Sequence, residues 1–194
     1  MAASIFGFAA RVAKQAWHVA DLFLWCGMDN ALNVVPQIGE IQSRQAVMVA
    51  RGIARLFARN DIWCVPEMML KGGRRADLMG IDARGQVIIV EIKVSKADLL
   101  GDAKWPDYLD HCDRFYWGLA AHLDRAVMET EVFRPGDCGI IVADGYDAEI
   151  LRPAPLVPMA AARRKVEVER LARAALRRLT VLADPACAPR GEDF

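Results

Sequence analysis

Two neighbouring stretches of sequence decide the fold of this chain: Arg74-Arg75-Ala76-Asp77-Leu78 and Val87-Ile88-Ile89-Val90-Glu91-Ile92-Lys93. Both have the composition of strands, and the second is an almost continuous run of β-branched residues. The segment between them contains Ala83-Arg84-Gly85, a three-residue loop with glycine at the position that requires a left-handed conformation. The two stretches therefore predict an antiparallel hairpin.

The loop also sets the register of this hairpin. If Asp82 pairs with Gln86, Asp77 lies directly opposite Glu91, and Lys93 lies on the same face because strand side chains alternate with period two. Directly opposed carboxylates have Cβ atoms roughly 5 Å apart and repel each other. A bound cation relieves that repulsion, so the pattern indicates a divalent-metal site with a lysine beside it. The competing interpretation is a solvated strand face on which the lysine pairs with one acid.

Two carboxylates and a lysine suit metal-dependent phosphodiester hydrolysis. Mg²⁺ prefers oxygen ligands, keeps several waters and neutralises charge on phosphoryl oxygens. A neighbouring ammonium orients the attacking water and offsets developing negative charge. Asp77, Glu91 and Lys93 are therefore the candidate catalytic residues. On the preceding strand, Glu67 is either a neighbour of the metal ligands or a solvated residue. Arg75, on the same strand as Asp77, either contacts phosphate or pairs with a nearby acid.

The composition is that of an ordinary soluble domain. The 194 residues suffice for one domain with appended helices, and 54% are hydrophobic and 26% charged. The formal net charge is zero, so no overall positive field indicates nucleic-acid binding. Five cysteines form no C-x-x-C pair, which argues against a zinc ribbon or a disulfide framework. No apolar run approaches the roughly 20 residues of a spanning helix, and we expect a cytoplasmic protein with no membrane partner.

Hydrophobic periodicity predicts three parts of the chain. Residues 1–41 form an N-terminal helical extension, residues 42–182 the main domain and residues 183–194 a flexible tail. The main domain is predicted to contain a helix at 42–58, three strands between 62 and 94, a mostly helical stretch at 97–112 interrupted by Pro106, strands at 114–120, 139–143 and 149–152, and a helix at 160–182. This order predicts a mixed α/β sandwich and not a doubly wound Rossmann fold.

At these residues the chain resembles a known family. Asp77 followed by Glu91-Ile92-Lys93 is similar to the D…E-x-K signature of the PD-(D/E)XK nuclease superfamily, which lies on adjacent strands after a leading helix. Longer stretches are similar to the MmcB-type bacterial DNA repair proteins: residues 73–77, 89–95, 102–108, 111–115 and 139–145. The resemblance covers roughly residues 43–182.

This resemblance implies a PD-(D/E)XK restriction-endonuclease-like αβββαβ core, with a mixed central sheet flanked by helices. It implies that Asp77, Glu91 and the carbonyl of Ile92 bind Mg²⁺ or Mn²⁺, and that Lys93 is the catalytic lysine. The chain departs from the fuller motif at Ala76, where the superfamily has a proline that is commonly absent. The leading helix also shows no obvious metal-binding glutamate.

Further candidates for nucleic-acid binding lie outside this triad. Lys96, Lys104, Trp105 and Tyr108 combine positive charge with aromatic faces, which suits phosphate contact and base stacking. Core packing is the alternative for both rings. Arg51 belongs to an arginine stripe of the helix at 42–58 that is suited to following a phosphate backbone.

The function predicted from these observations is a metal-dependent DNA nuclease acting in bacterial DNA repair. The alternative is a non-catalytic DNA-binding repair scaffold with a nuclease-like fold. Expected partners are DNA and either a second copy of the chain, in a homodimer, or other repair proteins. A third hypothesis makes the N-terminal helix a docking element for a partner.

Overall fold

The computed structural model describes residues 38–102 and 104–188, with side chains described from residue 42 onward. The described residues fall into two compact units, one ending at Arg173 and the other beginning at Ala174. The first unit carries the sheet and all the candidate site residues. The predicted N-terminal extension lies outside the described residues as far as residue 37, and so does the tail beyond residue 188.

The elements of the sheet and its helices follow the predicted order. Helix α1 spans Ile38–Arg59, and strands β1, β2 and β3 span Ile62–Met69, Arg75–Asp82 and Val87–Lys93. Helix α2 spans Lys96–Gly101, a 3-10 helix spans Trp105–His111, and β4 spans Arg114–Ala120. Strands β5 and β6 span Gly139–Ala143 and Ala148–Arg152, and α3 spans Ala161–Ala183.

The six strands form one mixed sheet in the order β1-β2-β3-β4-β5-β6. The first three strands are antiparallel neighbours, β3, β4 and β5 are parallel to one another, and β6 returns antiparallel to β5. The prediction of an α/β protein with a mixed sheet flanked by helices is therefore confirmed. The narrower assignment of a restriction-endonuclease-like core stays a prediction.

Strand β3 lies at the centre of the core, and all seven of its residues are buried. One face of the sheet packs against α1, where Ile53 and Phe57 are 0% and 1% exposed. The other face is covered by aromatic side chains, since Trp117 of β4 contacts Trp105 and Phe133. Burial on both faces explains the nearly uninterrupted hydrophobic run of β3. It also means that any charged residue of this strand is desolvated.

The stretch predicted as mostly helical at 97–112 contains two short helices, α2 and the 3-10 helix Trp105–His111. Ser95 caps α2, with its hydroxyl accepting a hydrogen bond from the Asp98 amide at 3.1 Å. Pro106 falls in the first turn of the following 3-10 helix, where a missing N–H leaves no hydrogen bond unmade. Helix α1 also begins at Ile38, earlier than the predicted residue 42.

The cysteines of the described segments are all free thiols, at positions 64, 112, 138 and 187. This agrees with the prediction that they form no disulfide framework, and Cys26 lies outside the described residues. Within the described ranges, none of the helices is long and apolar enough to cross a membrane.

Close approach of α1 to the sheet depends on Gly118 of β4. A Cβ atom there would lie 2.7 Å from Ile53 Cδ1 and 2.9 Å from Val90 Cγ1, and both neighbours are fully buried. We expect Gly118→Ala to lower the free energy of unfolding by about 1–3 kcal/mol through overpacking, measured by urea denaturation. Gly136→Ala is the control, because a Cβ at Gly136 has no neighbouring atom within 4 Å. Equal loss of stability in both variants would contradict this account.

Candidate metal centre

The register of the β2–β3 hairpin is the one predicted. Leu78 pairs with Val90, and the Asp82 amide donates to the Gln86 carbonyl at 3.1 Å. Gly85 has a φ of +76°, as a left-handed loop position requires. One step beyond the Leu78–Val90 pair, the same register sets Asp77 across from Glu91.

A hydrogen bond fixes the Asp77 carboxylate against the backbone of β3. Its Oδ2 accepts from the amide of Ile92 at 2.6 Å. In an extended residue the N–H and the C=O point to the same side of the strand. The Ile92 carbonyl therefore faces β2, towards the side on which Asp77 lies.

Lys93 is almost completely buried among acidic side chains. It is 4% exposed, and its Nζ lies 3.2 Å from Glu91 Oε1, 2.8 Å from Asp102 Oδ2 and 3.6 Å from Asp98 Oδ1. Burial favours the neutral amine, but Glu91 and Asp102 outweigh it and raise the pKa of Lys93, so the ammonium stays charged. A fixed positive charge therefore lies beside the two opposed strands.

The charged forms of Asp77 and Glu91 are both unfavourable in this environment. Burial raises the pKa of Asp77 to about 6, against the opposing effect of the Ile92 amide. Burial, followed by repulsion from Asp77, raises the pKa of Glu91 to about 8. The second carboxylate oxygen of Glu91 has no hydrogen-bond partner although the residue is 7% exposed. Glu91, Asp98 and Asp102 lie within 3.6 Å of the ammonium and Asp77 faces Glu91, so acidic groups outnumber the basic group at this site.

This donor set fits a small divalent cation. The oxygens of Asp77 and Glu91 together with the Ile92 carbonyl are hard ligands of the kind that Mg²⁺ takes, and Mg²⁺ usually completes its shell with water. The unpartnered oxygen of Glu91 is a vacant acceptor in that set. Within the part of the chain that the structure describes, no three His, Cys, Asp or Glu side chains converge as a metal site. The side-chain ligands of a metal ion at this site are therefore two carboxylates.

Glu67 of β1 and Arg75 of β2, for which the sequence left two alternatives each, pair with each other. Glu67 interrupts β1 with a φ of +52°, and its Oε2 lies 2.6 Å from Nε of Arg75. Its charge is one of the smaller influences that raise the pKa of Asp77. Arg75 thus follows the alternative in which it pairs with a nearby acid, and Glu67 lies near enough to the site to influence Asp77.

Trp105 and Tyr108 follow the core-packing alternative and not the base-stacking one. These residues are 2% and 7% exposed, and both rings stack on Phe115, at centroid distances of 5.6 and 6.0 Å. Their faces are used inside the core because the 3-10 helix turns them towards β4. Tyr108 has a different part in the site, since its hydroxyl donates to the Arg75 carbonyl at 3.1 Å beside β2.

The predicted basic contacts are divided between the two faces of the sheet. Lys96 and Lys104 are exposed at the two ends of the segment that joins β3 to the 3-10 helix. Their contact with phosphate stays a prediction. Trp117 of β4 pairs with Glu91 of β3, so both side chains lie on one face of the sheet. Helix α1, which carries Arg51, packs on the other face, against Gly118. The structure therefore does not bring Arg51 to the candidate centre.

Two residues of the site were missed by the sequence analysis: Asp98 and Asp102. Both reach Lys93 from the segment that follows β3, and their spacing of four residues is that of one helical face. The signal that was available is Ser95, an N-cap that starts a helix immediately after the strand carrying the lysine. That start turns the next acidic residues back towards the strand end.

The fold and the site together define an α/β protein whose mixed sheet opposes a half-buried aspartate to a buried glutamate beside a buried lysine. The model of the MmcB-like family, described as DNA repair protein MmcB-like, matches residues 33–186. The chain therefore belongs to the MmcB-like DNA repair protein family, as its sequence predicted, and this membership indicates a role in DNA repair.

One solved structure is similar to this chain over most of its length. It is a protein of unknown function from Silicibacter pomeroyi, with 36% sequence identity and a TM-score of 0.66. The match covers 82% of this chain and 100% of the other. No curated protein matches the chain.

The raised pKa values of the two strand carboxyls link the stability of the metal-free protein to pH. Unfolding returns Asp77 and Glu91 to ordinary values of 3.8 and 4.5, so from about pH 4 to about pH 8 the folded state binds more protons than the unfolded state. The free energy of unfolding contributed by these groups therefore falls as pH rises through this window. We expect urea denaturation in EDTA to show this fall.

The control for this measurement is the double variant Asp77→Asn/Glu91→Gln, which keeps the shapes and removes both titrations. Its free energy of unfolding should depend less on pH between about 4 and 8 than that of the parent. An unchanged pH dependence would show that other groups cause it.

Proposed function

We propose that this protein is a metal-dependent DNA nuclease acting in DNA repair, with Asp77, Glu91 and the Ile92 carbonyl as ligands of Mg²⁺ or Mn²⁺. The observation that carries the proposal is the opposed carboxylate pair of half-buried Asp77 and buried Glu91, in which Glu91 keeps one oxygen without a partner beside the charged Lys93. A repelling pair of this kind destabilises the fold unless a cation offsets it. Membership of a DNA repair family supplies the substrate class.

Each side chain has a definite part in the proposed hydrolysis. Asp77 and Glu91 hold the cation against β2 and β3, and the Ile92 amide keeps Asp77 in place. A cation held by these residues would supply charge neutralisation at the scissile phosphate and would lower the pKa of a coordinated water. The ammonium of Lys93 positions the attacking water and stabilises negative charge that develops on the phosphoryl oxygens. Exposed Lys96 and Lys104 are suited to the flanking phosphates.

A PD-(D/E)XK core is part of the same proposal. It is supported by the order α1-β1-β2-β3-α2-β4 and by the position of the aspartate on β2 and of Glu91 and Lys93 on β3. Ala76 replaces the proline of the fuller motif and is 0% exposed, so a small buried residue fills that position here. Between residues 42 and 59 helix α1 has no acidic residue. The side chains described for this helix therefore add no carboxylate to the proposed centre.

The test of catalysis is cleavage of labelled single-stranded, duplex, flap and abasic DNA with Mg²⁺ or Mn²⁺. We expect Lys93→Ala to lower the rate by about 100-fold or more while DNA affinity is largely kept, because the lysine acts mainly in the transition state. Lys165→Ala is the matched control, since Lys165 is a well-exposed residue of α3. EDTA should abolish all products. Cleavage that persists at the parent rate in purified Lys93→Ala protein would contradict the proposal.

The test of the metal site needs no turnover. We expect Glu91→Gln and Asp77→Asn each to weaken Mn²⁺ binding by about tenfold or more, measured by electron paramagnetic resonance of free Mn²⁺ in a titration. Glu149→Gln is the control, because Glu149 lies exposed on β6. Unchanged Mn²⁺ affinity in both site variants would place the metal elsewhere.

The second candidate function is a DNA-binding repair scaffold without turnover. The observation in its favour is that Lys93 already pairs with Glu91 at 3.2 Å, which partly satisfies the buried acid without a metal. This hypothesis expects DNA binding that weakens with salt and survives EDTA, with no cleavage of any substrate. The same panel of DNAs distinguishes the two functions.

A further inference from the structure

The segment that follows β3, residues 96–102, contacts Lys93 of the proposed centre. Helix α2 is only six residues long, and Asp102 follows it directly as its C-cap residue. From this position Asp102 Oδ2 lies 2.8 Å from Lys93 Nζ, closer than Glu91 Oε1 at 3.2 Å. The shortest ion pair of the ammonium is thus with a residue outside the metal-ligand set.

The two acids of this segment are not equivalent. Asp102 has a side chain that is 17% exposed, whereas Asp98 is 46% exposed and lies 3.6 Å from the ammonium. An ion pair that is shielded from water is stronger and less screened than an exposed one. Asp102 is therefore the principal anchor of Lys93, and Asp98 is its natural comparison.

The need for this anchor arises when a cation occupies the carboxylate pair. A divalent ion held by Glu91 would repel the Lys93 ammonium and weaken its pairing with the same carboxylate. Lysine has a flexible four-carbon stem, so an ammonium that loses its only partner moves away. A second carboxylate that does not bind the metal removes this conflict, and the geometry of Asp102 meets that requirement.

We propose that Asp102 is a positioning residue that holds the Lys93 ammonium beside Glu91 when the carboxylate pair binds its cation. This inference rests on the proposed nuclease function and extends it to a residue outside the metal-ligand set. Asp102 contacts neither metal nor DNA in this role and acts only through the lysine.

A substitution can remove the charge of Asp102 without removing its shape. The Oδ1 atom of Asp102 also accepts a hydrogen bond from the Lys104 amide at 3.3 Å. Asparagine can accept the same bond through its carbonyl oxygen. Asp102→Asn therefore keeps this bond and replaces the ion pair by an amide NH2 group that faces the ammonium, and Asp98→Asn is the matched control.

The first measurement is steady-state cleavage by the full chain with Mg²⁺. We expect Asp102→Asn to lower kcat at least about tenfold, since a displaced catalytic group loses alignment, with KM for DNA and Mn²⁺ affinity unchanged. Asp98→Asn should change kcat by much less. Full kcat in Asp102→Asn protein, or an equal loss in the two variants, would overturn the proposal.

The second measurement asks whether Asp102 acts through Lys93 and uses the metal-free protein. In EDTA, Asp102→Asn should lower the urea midpoint of the parent but not that of Lys93→Met protein, where no ammonium is present to hold. A midpoint lowered equally in both backgrounds would show a merely structural role and overturn the proposal.

The two measurements also separate the failures of the two ideas. If the parent protein cleaves no DNA, the proposed nuclease function fails, and the urea midpoints alone decide whether Asp102 holds the lysine. If the parent cleaves DNA and Asp102→Asn cleaves it equally well, the nuclease function stands and the positioning role is wrong.

Discussion

The interaction on which the site depends is the ion pairing of Lys93 inside a strand that is buried on both faces. Transferring a carboxylate or an ammonium out of water costs free energy that only close partners offset. Strand β3 buries one of each, Glu91 and Lys93, and the ammonium lies within 3.2 Å of its neighbour on the same face. The buried ammonium is tolerated because the segment after β3 brings Asp98 and Asp102 to it as further partners.

The rest of the sheet holds β3 in the position that this pairing requires. At its first residue, the Val87 amide donates to the buried carboxylate of Asp113 at 2.8 Å, and the same carboxylate accepts from Arg164 of α3 and from the Met159 amide. At its other end, the parallel register with β4 sets Glu91 beside Trp117. Polar anchoring at one end and aromatic packing at the other leave the strand little freedom to slip. A slip of one residue would move Glu91 and Lys93 to the face of α1.

Sequence analysis predicted the parts of this arrangement that depend on local backbone rules. The hairpin register followed from the left-handed position of Gly85 and the alternation of strand side chains, and it put Asp77 near Glu91. The orientation of Trp105 could not be predicted in the same way, because it lies in a short 3-10 turn whose direction is set by packing on Phe115. The approach of Asp102 to Lys93 depends on the length of α2, which periodicity does not determine.

The neutral net charge of the chain conceals a strong local separation of charge. Asp77, Glu91, Asp98 and Asp102 crowd one end of the central strands, while Lys96 and Lys104 lie exposed on the segment that carries two of these acids. Phosphate approaching the acids is repelled unless a cation is bound, whereas the exposed lysines attract it at any metal concentration. Under the proposed function, DNA binding and metal binding are therefore coupled: the lysines bring phosphate near, and the cation lets it reach Lys93. A protein of zero net charge can bind DNA in this way, because the potential at the site and not the total charge governs the encounter.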